Sequence, residues 1–445
     1  MTVGNIWRHL LDFSIPMAFG LLFQQLYNMV DTVVVGQFVG ETAQAAVGST
    51  GSIINTIVGF CAGLATGSSV IISQRYGAHD QQGLSRAVHT TIAMTVIISA
   101  ISTVLGLLII DPMLRFMRTP ENVWDEAKAY LTIYFSNVTG ILFYNMGSGV
   151  LRAVGDSRRP LIFLIISALL NIVLDLFFVL QFHLGVKGVA YATIIAQLVS
   201  AALILITLGH EKADYGLHLK LIRIDRTSMA GILRVGLPTS IQSAITSFSN
   251  VFVQSYINSF GSACMAGYGI YNKIDAFVLI PVQSIGMSST TFVGQNWGAG
   301  DRPRAKEGVR TAIKMSLFAT AVLGTVVLIL AKQLLRFFSP SEEVVEYGAR
   351  FLRIVTPFYL VLCFNQILSG ALRGTGDATM PTIIMLGSFV VFRQIYLFVT
   401  NQLGLGFISV ALAYPIGWVV CSSLLIIRYL FSPLGQAKPA ETNRQ

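Results

Sequence analysis

The chain has 445 residues, of which 54% are hydrophobic and only 11% are charged, and its mean hydropathy is +0.68. An ordinary soluble domain carries roughly 25% charged residues, and a soluble fold has too little interior to bury this many apolar side chains. The net charge of +9 does not by itself indicate nucleic-acid binding, because Lys and Arg are enriched in the cytoplasmic loops of membrane proteins. The composition therefore predicts a polytopic membrane protein.

The charged residues leave apolar runs of about 20 residues, the length at which a helix crosses a bilayer. Because the N-terminal sequence MTVGNIWRHLLDFSIP has no A-x-A-like cleavage site and its apolar run exceeds a signal-peptide length, the first helix is expected to be retained. Twelve spans are predicted, at roughly 12–37, 50–73, 88–110, 127–150, 160–181, 188–209, 236–259, 273–297, 311–335, 348–371, 380–402 and 406–431.

Lys and Arg are distributed unevenly among the predicted loops. The loops after spans 2, 4, 6 and 8 are rich in basic residues, whereas the turns after spans 1, 5 and 11 carry almost none. The loops after spans 3 and 9 mix basic residues, such as Arg115, Arg118 and Lys332, with acids. By the positive-inside rule, this bias predicts that both termini are cytoplasmic.

The longest polar connection, residues 210–235, divides the chain into two lobes. We predict an N-terminal six-helix lobe (1–209), a cytoplasmic linker (210–235), a C-terminal six-helix lobe (236–431) and a cytoplasmic tail (432–445).

The two lobes repeat each other. The matching segments are QRYGAHD (74–80) with QNWGAGD (295–301) and LRAVGDSRRP (151–160) with LRGTGDATMP (372–381), both at a shift of 221, and Ile15-Pro16 with Leu237-Pro238 at 222. Because each repeat holds an even number of spans, both insert in the same orientation and are related by a two-fold axis along the membrane normal. The fold class predicted is an all-α polytopic membrane protein with 12 transmembrane helices in two six-helix bundles, an arrangement that suits alternating access.

The repeated motifs resemble the multidrug and toxic compound extrusion (MATE) family. The resemblance rests on the two six-span halves, the Q-x-x-G-A-x-D end of spans 2 and 8, and the L-R-x-x-G-D-x-x-x-P turn after spans 4 and 10. It covers nearly the whole chain, and the sequence looks closer to the DinF-like branch than to the NorM-like branch. The resemblance implies a transporter of the prokaryotic cytoplasmic membrane that exports amphipathic or cationic drugs in exchange for Na⁺ or H⁺.

Of the 21 acidic residues, only Asp31, Asp175 and Asp275 lie well inside predicted spans. An acid at the centre of a spanning helix costs about 2.5–3.5 kcal/mol on insertion scales, so such acids are functional candidates. Asn171 and Asp175 are four residues apart and share a face of span 5, and Thr193 lies in span 6. Two carboxylates, an amide oxygen and a hydroxyl form an oxygen set suited to Na⁺ or to a shared proton.

The resemblance to DinF-like transporters sharpens this prediction. That branch carries an acid after a bent, Pro-containing first helix, N-x-x-x-D on the fifth span and Thr on the sixth, and the matching residues here are Pro16, Asp31, Asn171, Asp175 and Thr193. The resemblance therefore implies a helix bend at Pro16. It also implies a cation-coupling site at the other four residues, with Na⁺ as the candidate metal ion. The alternative is a structural polar cluster that binds the helices together.

The repeat provides an internal check on this site. At the repeat shifts, Asp31 corresponds to Val253, Asn171 to Phe392 and Asp175 to Tyr396, so the C-terminal half lacks the constellation. NorM-like relatives place an acid on span 7, where this sequence has Gln254 instead. Cation binding is therefore expected only in the N-terminal lobe.

Other polar residues inside the spans are candidates for a substrate cavity. Asp275 either faces a cationic substrate or is a structural acid, and Arg393 either meets Asp275 or an anionic substrate group, or snorkels or holds an interhelical carbonyl. The remaining candidates either line the cavity or hydrogen-bond between helices. They are Gln24, Tyr27, Asn28, Asn145, Asn250, Gln283 and Asn365.

Missing motifs narrow the function further. The chain has no G-x-x-x-x-G-K-[ST] and no H-E-x-x-H, which argues against an ATP-driven pump and an intramembrane metalloenzyme. The protein is therefore expected to be a transporter and not an enzyme, with no cofactor besides its coupling ion, and to work as a monomer without nucleic acid. The acids beside glycine in the turns are expected to cap helices. They are Asp80, Asp156, Asp301 and Asp377.

The alternative function is a lipid-linked precursor flippase of the same superfamily. Such a protein is expected to hold pyrophosphate with several basic residues facing its cavity, and here only Lys273 and Arg393 qualify.

Overall fold

The computed structural model describes residues 1–117 and 119–438, so Arg118 and the tail from 439 onward lie outside the described residues. Within those ranges the chain is helical and no strand occurs. The first half contains α1 (Ile6–Val34), α2 (Glu41–Gly77), α3 (Gln81–Phe116), α4 (Glu121–Ser136), α5 (Val138–Ala153), α6 (Arg158–Leu176) and α7 (Gly185–His210). The second half contains α8 (Arg226–Asn258), α9 (Ser262–Val278), α10 (Ile280–Gly298), α11 (Arg302–Ile329), α12 (Ala331–Phe338), α13 (Glu342–Val355), α14 (Tyr359–Gly374), α15 (Thr379–Leu386), α16 (Arg393–Gln402) and α17 (Gly406–Leu430).

Several predicted spans are broken helices. Span 4 consists of α4 and α5, which are separated at Asn137, and span 10 consists of α13 and α14, which are joined by a 3₁₀ turn. Span 8 consists of α9 and α10, which bend by 41°. Single π-helical turns extend α1 and α6 and join α15 to α16. Apolar periodicity does not report these breaks, because both pieces of a broken helix stay apolar.

Eight helical stretches in the described ranges are long and apolar enough to cross a membrane, and the bent α9–α10 pair is a ninth. They are Ala46–Gly77, Gln81–Phe116, Arg158–Gln181, Gly185–His210, Arg302–Ile329, Glu342–Gly374, Thr379–Gln402 and Gly406–Leu430.

The four turn acids accept backbone hydrogen bonds at helix starts, as the sequence predicts. Asp80 accepts from the N–H of Gly83, and Asp301 accepts from the N–H of Arg304. Asp156 and Asp377 accept in the same way at the starts of α6 and α15. Each satisfies donors that the first turn of a helix leaves without partners.

The chain folds into two compact units. The N unit is Phe19–Ser240, and the C unit is Met1–Ala18 together with the chain from Ile241 onward. Each boundary lies inside a helix, two residues after a proline: Pro16 in α1 and Pro238 in α8. These prolines are repeat equivalents, so both units begin at the same point of the repeat. The predicted lobes are separated at the polar linker of the sequence. The two units are instead separated within α1 and α8, where the contacts between helices change from one unit to the other.

Close helix packing explains why the start of α8 belongs to the N unit. A Cβ added to Gly63 of α2 would lie 2.4 Å from the backbone nitrogen of Ser240, and one added to Gly67 would lie 2.6 Å from Gly236. Ser240 also donates to the carbonyl of Phe60 at 2.6 Å. Only glycine allows this approach of two helices.

The core of the C unit is one contiguous apolar cluster with Tyr359, Phe292 and Phe351 among its fully buried side chains. Leu10, from the first turns of α1, is part of that cluster, and its carbonyl accepts from the hydroxyl of Ser288 at 3.2 Å. The N-terminal end of α1 is thus anchored in the C unit.

Candidate functional site

The N unit contains a cavity of about 190 Å³ between α1, α2, α4, α5, α6 and α7. Seven of the residues singled out in the sequence line it, so the structure brings together residues from four helices. They are Gln24, Tyr27, Asn28, Asp31, Asn145, Asn171 and Thr193. Asp175 is buried directly beside them.

Asn171 connects the fifth and sixth spans at the site. In the amide orientation that satisfies both of its ends, its nitrogen donates to Asp175 Oδ2 at 3.1 Å and its oxygen accepts from the backbone N–H of Thr193 at 3.2 Å. The hydroxyl of Tyr27 lies 3.5 Å from Thr193 Oγ1. The four-residue spacing of Asn171 and Asp175 thus places both on the face of α6 that packs against α7.

The carboxyl groups of Asp31 and Asp175 lie close enough to each other to interact directly. Two carboxyl groups can share a hydrogen bond only when one of them carries a proton, because an ionised carboxylate has no donor. The second oxygen of each acid, Oδ1, is buried without a hydrogen-bond partner in the part of the chain that the structure describes. Buried polar atoms are rarely left unpaired, so these oxygens are available to ligate a cation.

The chemistry of this donor set fits Na⁺ as well as H⁺. Two like charges cannot both be buried at hydrogen-bond distance without a compensating positive charge. A proton shared by the two acids would supply that charge, and a Na⁺ ion would supply it through the two carboxylates, helped by oxygens such as those of Asn171 and Thr193.

Three tyrosines of the cavity, Tyr130, Tyr134 and Tyr144, were not singled out in the sequence. Tyr130 and Tyr134 lie one turn apart on α4, and their rings stack at 6.4 Å between centroids. Their spacing of four in span 4 was the available signal, but it equally indicates ordinary packing of an apolar helix face. They add aromatic surface beside the acid pair.

Arg393 lies in the C unit and does not snorkel, since its side chain is only 4% exposed. It donates to Ser249 Oγ and to Asn250 Oδ1, each at 2.9 Å, and its guanidinium lies 5.0 Å from the ring centroid of Tyr414. The expectation of snorkelling is therefore wrong. Asn250 Oδ1 is an amide carbonyl oxygen on α8, so Arg393 of α16 holds a carbonyl between helices, while its Nε has no hydrogen-bond partner among the described residues.

Asp275 makes no ion pair with Arg393 among the described residues. It accepts hydrogen bonds instead from the hydroxyls of Tyr271, at 3.3 Å, and Tyr359. Tyr268 donates to or accepts from Tyr414 at 2.7 Å, so aromatic hydroxyls lie between the acid and the arginine. In this arrangement Asp275 is held by two phenols inside the C unit.

The other predicted cavity residues of the C unit have separate positions. Asn365 is buried, accepts from Ser422 at 2.6 Å and donates to the carbonyl of Trp418, so it fastens α14 to α17. Gln283 is exposed on α10, and Asn250 is the partner of Arg393. None of these three is part of the N-unit cavity.

The chain is similar to known membrane transporters over most of its length. The sequence profile of the MatE family matches residues 16–177 and again 238–399, which repeats the internal shift of 222. The probable multidrug resistance protein YoeA of Bacillus subtilis is 29% identical over 433 residues, covering 96% of this chain and 93% of YoeA. A probable multidrug resistance protein NorM of Thermotoga maritima is 26% identical over 410 residues, covering 91% of this chain and 88% of that protein.

Solved structures of transporters also match the fold of this chain. A MOP superfamily transporter from Pyrococcus furiosus, described as having a binding pocket of reversed polarity, superposes with a TM-score of 0.91 at 25% identity and 98% coverage of both chains. An outward-facing multidrug resistance MATE transporter superposes with a TM-score of 0.90, also at 25% identity and 98% coverage. MATE transporters have twelve helices in two bundles, so the predicted fold class is confirmed. The chain belongs to the MatE family of membrane transporters and is not an enzyme.

Proposed function

We propose that this protein exports amphipathic or cationic small molecules in exchange for Na⁺ or H⁺, and that Asp31 and Asp175 bind the coupling ion. The names of its relatives support export: YoeA is a probable multidrug resistance protein and MepA of Staphylococcus haemolyticus is a multidrug export protein. The observation that carries the ion site is the pair of buried carboxyl groups whose Oδ1 atoms lack partners in the described chain.

The size of the cavity favours an ion over a whole drug. Pockets for drug-sized ligands typically enclose roughly 300–1,000 Å³, and the N-unit cavity encloses about 190 Å³. Its volume and polar lining suit a cation with one or a few water molecules. Binding of a cation relieves the repulsion of the acid pair, and its release restores that repulsion, so ion occupancy changes the stability of the helix contacts around α1, α6 and α7.

Coupling requires two states with different ion affinities. We propose alternating access, in which the ion-bound and ion-free N unit favour different conformations, with a bend at Pro16 of α1 as one moving part. Proline removes one backbone hydrogen bond from a helix, which makes bending there less costly. The site residues also favour the DinF-like branch of the family. The C-unit positions equivalent to Asp31 and Asp175 are Val253 and Tyr396, so the acid pair is found in the N unit and not at the corresponding C-unit positions.

We also propose that the protein is a monomer in a prokaryotic cytoplasmic membrane, with both termini in the cytoplasm. The basic loops after spans 2, 4, 6 and 8 support this orientation.

The flippase alternative finds little support in the C unit. Arg393 is already engaged by Ser249 and Asn250, and Lys273 is exposed with its ammonium 5.7 Å from the ring centroid of Phe338. A pyrophosphate site needs basic groups that converge on one point, and these two do not share a partner among the described residues.

The test is efflux of a fluorescent cationic dye from proteoliposomes under a Na⁺ gradient and, separately, a pH gradient. We expect one gradient to drive efflux by the wild type, and Asp31→Asn and Asp175→Asn each to lower the rate at least roughly 100-fold, because an amide cannot release a proton or carry the charge that holds Na⁺. Tyr396→Phe, at the repeat equivalent of Asp175, is the matched control and should transport at the wild-type rate. Normal transport by both Asn variants would show that the acids are structural.

A further inference from the structure

A second cavity lies in the N unit, away from the acid pair, where the linker between the two sequence halves meets the start of α3. It encloses about 230 Å³. Four of its lining residues occupy one face of the first turns of α3, and three belong to the linker. They are Gln82, Ser85, Arg86 and His89, with Leu221, Arg223 and Asp225.

Partly buried hydrogen bonds fix the linker to α3 and thereby form the walls of this cavity. The buried ring of His89 donates from Nδ1 to the carbonyl of Ser85 at 2.6 Å and accepts at Nε2 from the backbone N–H of His218 at 3.0 Å. Thr90 accepts from the backbone N–H of Asp225 at 3.0 Å and donates to the carbonyl of Arg223. The linker is therefore part of the N unit, and the walls of the cavity are defined by tertiary contacts.

Two arginines supply the charge of the cavity. The guanidinium of Arg86 has only a 3.4 Å contact to Gln82, and no ion pair of Arg86 or Arg223 occurs within the described ranges. Asp225 caps α8 by accepting from the N–H and the hydroxyl of Ser228, which lowers its pKa, and the nearby charges of Arg86 and Arg75 lower that pKa further. With Asp225 ionised, the two arginines leave a net charge of about +1, and the 3.4 Å contact from Arg86 to Gln82 is the only hydrogen bond of their guanidinium groups among the described residues.

Apolar side chains flank the arginines on the linker. Leu219 is 79% exposed, Leu221 is 47% exposed and Ile224 is 41% exposed, and they alternate with Lys220 and Arg223 in the sequence LKLIRI. Exposed leucines beside basic residues are typical of a segment at the membrane interface, where apolar groups enter the acyl region and cations meet the headgroups.

We propose that this cavity binds the phosphate of an anionic phospholipid headgroup, held by Arg86 and Arg223, while Leu219 and Leu221 contact its acyl chains. Arginine forks match the geometry of phosphate oxygens, and Ser85 and Gln82 add neutral donors at the same cavity. A soluble phosphate would use only the polar groups of the cavity, so the exposed leucines beside it favour a lipid as the occupant. This site is independent of the coupling ion and of the exported substrate.

The experiment measures lipid retention by the full-length protein in detergent, using native mass spectrometry with phosphatidylglycerol, phosphatidylcholine and inorganic phosphate as separate probes. We expect the wild type to retain phosphatidylglycerol preferentially. Arg86→Gln combined with Arg223→Gln should bind this lipid roughly 10- to 30-fold more weakly, because each basic residue removed lowers the affinity by about tenfold or less. The control, Arg158→Gln combined with Lys212→Gln, removes two positive charges elsewhere in the same unit and should change binding less than about threefold.

A second pair of variants separates lipid from free anion. Leu219→Ser combined with Leu221→Ser should lower phosphatidylglycerol retention several-fold and leave binding of inorganic phosphate unchanged. All six replaced side chains are exposed, so an unchanged gel-filtration profile and melting temperature are expected of every variant. The proposal is overturned if the control loses as much lipid as the arginine variant, if both lipids bind equally, or if phosphate binds as tightly as phosphatidylglycerol.

Discussion

The N unit and the C unit use the same repeated scaffold to hold opposite charges. In the N unit, Asp31 and Asp175 form an acid pair whose buried Oδ1 atoms have no hydrogen-bond partner among the described residues, and we propose that this pair binds the coupling ion. In the C unit, the corresponding residues are Val253 and Tyr396, and Arg393 brings its own positive charge.

The partners of Arg393 sharpen this comparison. Ser249 and Asn250, which accept from its guanidinium, are the repeat equivalents of Tyr27 and Asn28, which line the N-unit cavity. Tyr414, whose ring lies beside the guanidinium, is the equivalent of Thr193. The region that we propose to bind a mobile cation in the N unit therefore contains the covalently attached cation of Arg393 in the C unit.

This difference has a direct consequence for ion binding. A fixed guanidinium repels any second cation at close range, and at an effective dielectric constant of about 20 two unit charges 4 Å apart repel by about 4 kcal/mol. The Arg393 guanidinium therefore disfavours a second cation in this region of the C unit. This is consistent with the proposal that the coupling ion binds in the N unit.

The largest effect that separates the two units is stabilisation by the cation itself. We expect the purified wild type to gain about 2.7 kcal/mol when the coupling ion reaches 100 times its Kd, because only the folded state binds it. Asp175→Asn should abolish this gain, and in the absence of cation it should melt above the wild type, since an uncompensated buried charge is gone. Melting temperature is measured with Na⁺ replaced by choline at constant ionic strength, and separately as a function of pH.

Tyr396→Phe is the C-unit control for that measurement, and its response to cation should equal that of the wild type. The comparison between the units fails if a C-unit variant removes the response while Asp175→Asn retains it.

The next largest effect is expected when the positively charged guanidinium of Arg393 is removed from the C unit. Arg393→Met removes two charge-assisted hydrogen bonds and takes the Arg393 donor away from Asn250 Oδ1, whereas Ser249 Oγ still accepts from Gln394 Nε2 at 3.0 Å. We therefore expect a loss of about 1.5–3 kcal/mol in stability. Arg393→Lys keeps the charge but not the planar fork, and its melting temperature should lie between those of Arg393→Met and the wild type.

Both Arg393 variants should keep the full stabilisation by the coupling ion, because the N-unit acids are unchanged. An Arg393→Met variant at least as stable as the wild type would contradict a structural role, and would indicate that the guanidinium is retained to bind another group.

The sequence predicted the N-unit site better than the C-unit one, for physical reasons. Asp31, Asn171, Asp175 and Thr193 are polar groups in apolar helices, and their cost in a membrane makes them visible without a structure. The partners of Arg393 are Ser249 and Asn250, which are common residues at helix contacts, so their pairing appears only when α8 and α16 are placed side by side.

Helix breaks were similarly invisible to the sequence. The interruption at Asn137 lies inside an apolar run, and hydropathy averages over it. The caps at Asp80 and Asp301, by contrast, depend on a residue and its next three neighbours, so local sequence was sufficient to predict them.

The smallest expected effect concerns an ion pair that joins the fifth and sixth spans of each unit with opposite polarity. In the N unit, Arg159 at the start of α6 pairs with Glu211 after α7 at 2.9 Å; in the C unit, Asp377 before α15 pairs with Arg428 of α17 at 2.6 Å. Glu211→Gln and Asp377→Asn should each lower stability by about 0.2–1 kcal/mol, because the pairs are partly solvated and screened.

The hydrogen bond from Arg159 lowers the pKa of Glu211 below its ordinary value. Its contribution is therefore present above the pKa of the unfolded chain, and we expect the difference in melting temperature between the wild type and Glu211→Gln to vanish as the pH falls through the lowered pKa. A difference that persists in strong acid would show that Glu211 acts through packing and not through its charge.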